Sequence, residues 1–66
     1  MDGYIITDDE HYPFRVELPA HRKDELKDTF RHRMPAEMII VDEGAGRIFA
    51  DCRDQPLACA IVLIFA

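Results

Sequence analysis

Apolar and charged residues alternate strictly over residues 14–18, where Arg15 and Glu17 separate Phe14, Val16 and Leu18. A period of two sends the three apolar side chains to one face of a half-buried strand and the charged pair to the other. Upstream, Tyr4, Ile5, Ile6 and Thr7 form a short β-rich run that stops at Asp8, Asp9, Glu10 and His11. The two runs predict a hairpin with an acidic connecting loop, and Pro13 marks the entry to its second strand.

Beyond Leu18 the period changes. Pro19 suits a first helical turn, residues 20–34 contain no Gly, and Pro35 forbids continuation. One helix over about residues 19–33 follows. Its apolar stripe is thin, resting on Leu26 and Phe30 with Ala20 and Met34 near the ends, so it covers one face of a sheet and leaves most of itself in water. Asp24 with Lys27, and Asp28 with Arg31, are spaced for surface ion pairs of a few tenths of a kcal/mol each.

Residues 37–42 and 47–52 flank Gly44, Ala45 and Gly46, which supply the positive φ of a tight hairpin turn. A two-residue loop of Gly44 and Ala45 sets Asp42 opposite Arg47, Val41 opposite Ile48 and Ile39 opposite Ala50. Ile39, Val41, Ile48 and Cys52 then share one face, with Ile40, Asp42, Phe49 and Asp51 on the other; a three-residue loop shifts this register. Arg53, Asp54, Gln55 and Pro56 read as a turn. The closing run has large residues at Leu57, Cys59, Ile61, Leu63 and Phe65, with Ala58, Ala60 and Ala66 at alternate positions. It reads as a central strand buried on both faces, and at ten residues it is far shorter than the about 20 a membrane-spanning helix needs. The pattern predicts one compact domain over residues 1–66, of α+β class, with a single antiparallel sheet of about five strands, one helix on one face, and the order ββαβββ.

A 66-residue chain has a small core and little room for a large substrate cavity. Its thirteen Asp and Glu against eight Lys and Arg give a net charge of -5, unevenly spread. Residues 1–14 hold Asp2, Asp8, Asp9 and Glu10 with no Lys or Arg, and residues 35–66 hold five acids against Arg47 and Arg53, while residues 15–34 carry +2. The absence of Ser excludes serine-nucleophile chemistry, and the absence of Asn removes any N-glycosylation acceptor. Two cysteines are too few for a disulfide framework, and Asp2 and Gly3 stand where a signal peptide would be basic, so a reducing cytosol and no membrane association are expected.

Candidate chemistry is sparse. His11, His21, His32, Cys52 and Cys59 could ligate a metal, but six residues separate the cysteines, wider than zinc-ligand pairs. Asp8, Asp9, Glu10 and His11 lack the alternating spacing of a calcium loop. No metal or cofactor is expected. His32, four residues after Asp28, reads as a surface pair rather than a catalytic dyad, neither cysteine is expected to sit in the exposed, electropositive surroundings that a cysteine hydrolase needs, and the chain is not expected to be an enzyme. Acidic Asp42 and Glu43 make residues 44–46 a turn rather than a phosphate loop. Arg22, Lys23, Lys27, Arg31 and Arg33 are interrupted by Asp24, Glu25 and Asp28, and a pI near 4.9 argues against direct nucleic-acid binding.

The acids themselves remain. Asp8, Asp9 and Glu10 on one loop, Asp42 and Glu43 at a hairpin end, and Asp51 and Asp54 around the last turn are the candidate partner-binding residues. Carboxylates two apart on a strand lie about 6.6 Å apart, close to twice the per-strand rise of DNA, so a row of them can imitate phosphates and meet a protein with a basic nucleic-acid-binding surface. The alternative is a small regulatory or structural module that uses a sheet edge or dimer interface, with its acidity serving solubility.

In size, acidity and arrangement of elements the chain resembles the small acidic phage-encoded anti-CRISPR proteins, in particular the type I-C inhibitors. The resemblance spans the whole chain and is carried by Asp8, Asp9 and Glu10, by Asp42 and Glu43, and by the ending over residues 60–66. No catalytic motif enters it. It implies a noncatalytic, monomeric inhibitor in the bacterial host cytosol that binds a CRISPR effector complex at its large subunit and blocks target DNA by mimicry. The basic helix should then face away from the partner.

Overall fold

Strand β2 (Phe14–Pro19) is the one on which the sheet is assembled. It pairs on one side with the two-residue β1 (Ile5–Ile6) and on the other with β4 (Arg47–Cys52), and β4 carries β3 (Met38–Asp42) at the far edge. Every pairing is antiparallel, in the order β1-β2-β4-β3. The computed structural model describes residues 3–65, so Asp2 of the acid count and Ala66 of the closing run lie outside the described residues.

The alternation in β2 behaves as its sequence dictates. Val16 and Leu18 are buried, Phe14 is half-buried against the edge of the Tyr4 ring at 5.6 Å, and Glu17 is exposed. The segment after Pro19 is helical to Arg33, as a 3₁₀ turn (Ala20–Arg22), helix α1 (Lys23–Phe30) and a second 3₁₀ turn (Arg31–Arg33). Pro19 itself ends the strand. Leu26 and Phe30 are buried, with Ala20 and Met34 packed against the same core. Of the expected ion pairs, Asp28 with Arg31 forms at 2.9 Å. The other is replaced: Arg22 takes Glu25 at 2.7 Å, and no Asp24 to Lys27 pair occurs among the described residues.

Two expectations are corrected. The closing run is helix α2 (Gln55–Phe65), and the architecture is ββαββα with four strands and two helices. Asp54 starts the helix: its carboxylate accepts a hydrogen bond from the Leu57 amide at 3.1 Å, and Pro56 sits in the first turn, where a missing N–H costs nothing. The buried residues are Leu57, Ala58, Ile61 and Phe65, a helical stripe, whereas Cys59 and Leu63 of the expected strand face are exposed. A strand here would have hidden five large side chains on one side. The helix hides fewer, and with them it roofs β2 and β4, which the eight-residue α1 is too short to cover alone.

The second correction lies in the β3–β4 hairpin. Its loop is three residues long, closed by the Glu43 amide donating to the Arg47 carbonyl at 3.2 Å, with Gly44 and Gly46 both at φ 80°. The Asp42 carboxylate accepts from the Gly44 amide at 2.9 Å and tightens the same turn. The extra residue sets Asp42 opposite Ile48 and Ile40 opposite Ala50. Faces of β3 therefore exchange: Met38 and Ile40 join Ile48, Ala50 and Cys52 on the core side, and Ile39 and Val41 join Phe49 and Asp51 on the other.

Both helices lie on that core side. Phe30 of α1 meets Phe65 of α2 at 6.3 Å, and the most deeply buried side chains, Leu26, Met38, Ile48, Ile61, Val16 and Cys52, come from all layers. Each large apolar side chain so buried contributes about 1.5–3 kcal/mol. The other sheet face carries no helix.

Candidate functional site

A strand of six residues is about 17 Å long, so the connections at its two ends are separate places on a domain this small. Phe14 at the start of β2 pairs with Cys52 at the end of β4. The β1–β2 loop and the β4–α2 connection therefore leave the sheet at the same end, and Asp8, Asp9, Glu10 and Asp54 share one tip. Asp42 and Glu43 lie at the opposite end, where Arg47 pairs with Pro19. Asp51 lies between, on the helix-free face. Of the seven candidate carboxylates, the fold gathers four.

The tip loop is ordered by its own side chains. The Thr7 amide donates to the Pro13 carbonyl at 2.7 Å, and the Thr7 hydroxyl donates to the same oxygen at 3.2 Å. The Asp9 amide donates to that hydroxyl oxygen at 3.2 Å. The Asp9 carboxylate accepts from the amides of His11 at 2.8 Å and Tyr12 at 2.7 Å. Those backbone amides, Tyr12 first, hold the Asp9 carboxyl below the usual carboxylate range, because they bind its charged form. The Tyr12 hydroxyl donates to the Pro35 carbonyl and ties the loop to the segment before β3. Beside it, the Arg53 amide donates to the Glu37 carbonyl at 2.8 Å.

Charge at the tip is not balanced. Asp8, Asp9, Glu10 and Asp54 are exposed, and among the described residues no Lys or Arg forms an ion pair with any of them. Arg53 is a nearby cation, and Arg33 is taken by Glu37 at 2.9 Å. At the opposite end the acids are shared out: Asp42 with Lys23 at 3.6 Å, Glu17 with Arg47 at 3.1 Å, and Glu43 with Arg47 at 3.9 Å.

Asp51 is a structural residue. It is 4% exposed and directly opposite Arg15, whose guanidinium grips it in a two-pronged pair at 2.8 and 2.9 Å. The hydrogen bond to Asp51 raises the Arg15 pKa, and the same guanidinium stacks 4.3 Å from the centre of the Phe49 ring. With Glu17 held by Arg47, the sheet face offers no row of free carboxylates. The strand-row geometry of phosphate mimicry is not formed there; among the seven candidates, the acids without an ion pair to Lys or Arg among the described residues are those of the tip.

Other chemistry finds little footing. Burial, then Asp51 and Asp54, push the Cys52 thiol up to about 12, so it stays protonated and inert, while Cys59 is exposed on α2. Among the described residues no three His, Cys, Asp or Glu side chains gather as metal ligands, and no buried side-chain nitrogen or oxygen lacks a hydrogen-bond partner. Among the described residues no helix is long and apolar enough to cross a membrane. Among the open depressions of the surface, one lies on the helix-free face between Tyr4, Ile5, Arg15 and Phe49, and another beside the tip between Glu10, Tyr12, Ala36 and Arg53.

Sequence reading missed the outer side of α2, where Leu63 is 86% and Ile64 55% exposed. The signal was present in the Asp54 cap and in an apolar run twice the length of an average strand. No protein-family model, curated protein or solved structure matches the chain.

Proposed function

We propose that the chain is a noncatalytic protein inhibitor that sets its acidic tip against a basic nucleic-acid-binding surface and keeps DNA from it. The observation that carries this reading is the tip itself: Asp8, Asp9 and Glu10 on a loop braced by Asp9, Thr7 and Tyr12, with Asp54 at the same end, none of them paired with Lys or Arg among the described residues. A braced loop presents its charges without a further ordering cost at the moment of binding. Opposite fields accelerate encounter, and like charges repel the DNA that competes for the same surface. The resemblance to type I-C anti-CRISPR proteins supplies the target class: the large subunit of a CRISPR effector complex, in the host cytosol.

Competition between the chain and target DNA for a purified type I-C effector tests the proposal. Target DNA should be displaced as the chain is added, with displacement weakening as salt rises. A ternary complex holding both DNA and the chain would remove competition as the mechanism.

A second reading, a small interaction module, is favoured by a different observation. Leu63 and Ile64 of α2 are exposed, uncovered by the described residues, and a surface of that kind belongs to a contact.

A further inference from the structure

Charged residues make up 32% of the chain, yet none of the eleven residues of α2 is charged. Leu57, Ala58, Ile61 and Phe65 face the sheet, and the outward side exposes Pro56, Cys59, Leu63 and Ile64, with Ala60 half-buried between them. A helix that is apolar all round is ordinarily covered on every side.

We propose that the outward face of α2 is the contact between two copies of the chain, packed helix against helix and antiparallel about a two-fold axis near Cys59 and Ala60. The ridge is self-complementary under that symmetry. Pro56, Cys59, Ala60 and Leu63 follow one another at helical spacing, symmetric about the Cys59–Ala60 midpoint, so Leu63 of each copy comes level with Pro56 of the other while the small residues at the centre admit close approach.

Charge selects the direction. Asp54 caps the start of α2, so the acidic tip lies at that end, and Arg22 sits over the Phe65 ring at the far end, 4.9 Å from its centre. Parallel pairing would press two acidic tips together. Antiparallel pairing sends them to opposite poles. Charge also disfavours a lipid surface as the occupant: interfacial helices carry Lys or Arg flanking their apolar face, α2 has neither, and the net charge of -5 is repelled by anionic lipid.

Area sets the strength. Eleven helical residues span about 16 Å and a helix is about 10 Å wide, which offers a few hundred Å² per copy against the about 800 Å² of a standard interface. The pair is therefore weak and reversible, the monomer prevails in dilute solution, and both tips stay open in either form. The inference stands apart from the identity of the tip's target.

Sedimentation velocity on the whole chain from about 1 μM to about 1 mM tests it. The average mass should climb from 7.6 kDa towards twice that value, and Leu63→Asp, an exposed position whose far-UV spectrum should be unchanged, should hold it at 7.6 kDa throughout. In the concentrated samples a short bismaleimide should join Cys59 to Cys59, with the buried Cys52 silent and Cys59→Ala abolishing the product. A chain that stays at 7.6 kDa at every concentration overturns the proposal. So does a dimer that survives Leu63→Asp, since the contact would then lie elsewhere, such as the β3 edge.

Discussion

The two ends of the sheet carry carboxylates in similar number and differ in what stands beside them. At the hairpin end Asp42, Glu43 and Glu17 lie within 4 Å of Lys23 or Arg47, so their field is largely cancelled within the fold. At the tip Asp8, Asp9, Glu10 and Asp54 form no ion pair with Lys or Arg among the described residues, and backbone amides rather than cations hold Asp9 and Asp54 in place. Local composition overstates the first and describes the second well. An acid is available to a partner only where the fold has not already assigned it a cation.

Asp51 is the extreme of the neutralised class, and its removal should have the largest effect. Asp51→Ala leaves the half-buried Arg15 without its partner, and urea unfolding should report a loss of about 2 kcal/mol, below the value for a fully buried pair because the Arg15 side chain is 30% exposed. An unchanged midpoint would return Asp51 to the pool of available acids. Next comes the tip: Asp8→Asn, Asp9→Asn and Glu10→Gln together should weaken the proposed inhibition about tenfold, or about 1.4 kcal/mol, with thermal unfolding little changed.

Asp54 does two jobs, and Asp54→Ala should cost about 1 kcal/mol by uncapping α2, read as a Tm lower by several degrees. Asp9 gives the comparison a pH signature. Its folded pKa lies below the unfolded one, so its contribution to loop order is complete above the usual carboxylate range and is lost as pH falls through the depressed value. The His11 and Tyr12 amide resonances should therefore move in that acidic window, and Asp9→Asn should abolish the movement. Smallest of all, Asp42→Asn with Glu43→Gln should change stability and inhibition by only a few tenths of a kcal/mol, as exposed pairs do.

What the sequence made legible follows from how local each signal is. The alternation of Phe14, Val16 and Leu18 and the stripe of Leu26 and Phe30 were readable because a single period decides each. The Gly44–Gly46 turn was readable as a turn, but its length was not, and one residue exchanged the faces of β3. The closing run misled because apolar residues on nearly every position carry no period; only the Asp54 cap and the run's length spoke for a helix. For the tip, the lack of Lys and Arg around residues 8–10 was visible, and its distance from the cation-paired acids of the hairpin end was not. That separation depends on β2 pairing with β4, which brings residues 8–10 beside residue 54 and sends residues 42–43 to the far end.

We propose that the tip, and not net acidity, does the docking. Association rates with a purified type I-C effector over a series of salt concentrations test it most directly, for the native chain, the tip triple variant and the hairpin-end double variant. A slower rate and a flatter salt dependence are expected for the tip variant alone, with the hairpin-end variant tracking the native chain. Equal losses in both variants would contradict it, since the partner would then be reading total charge.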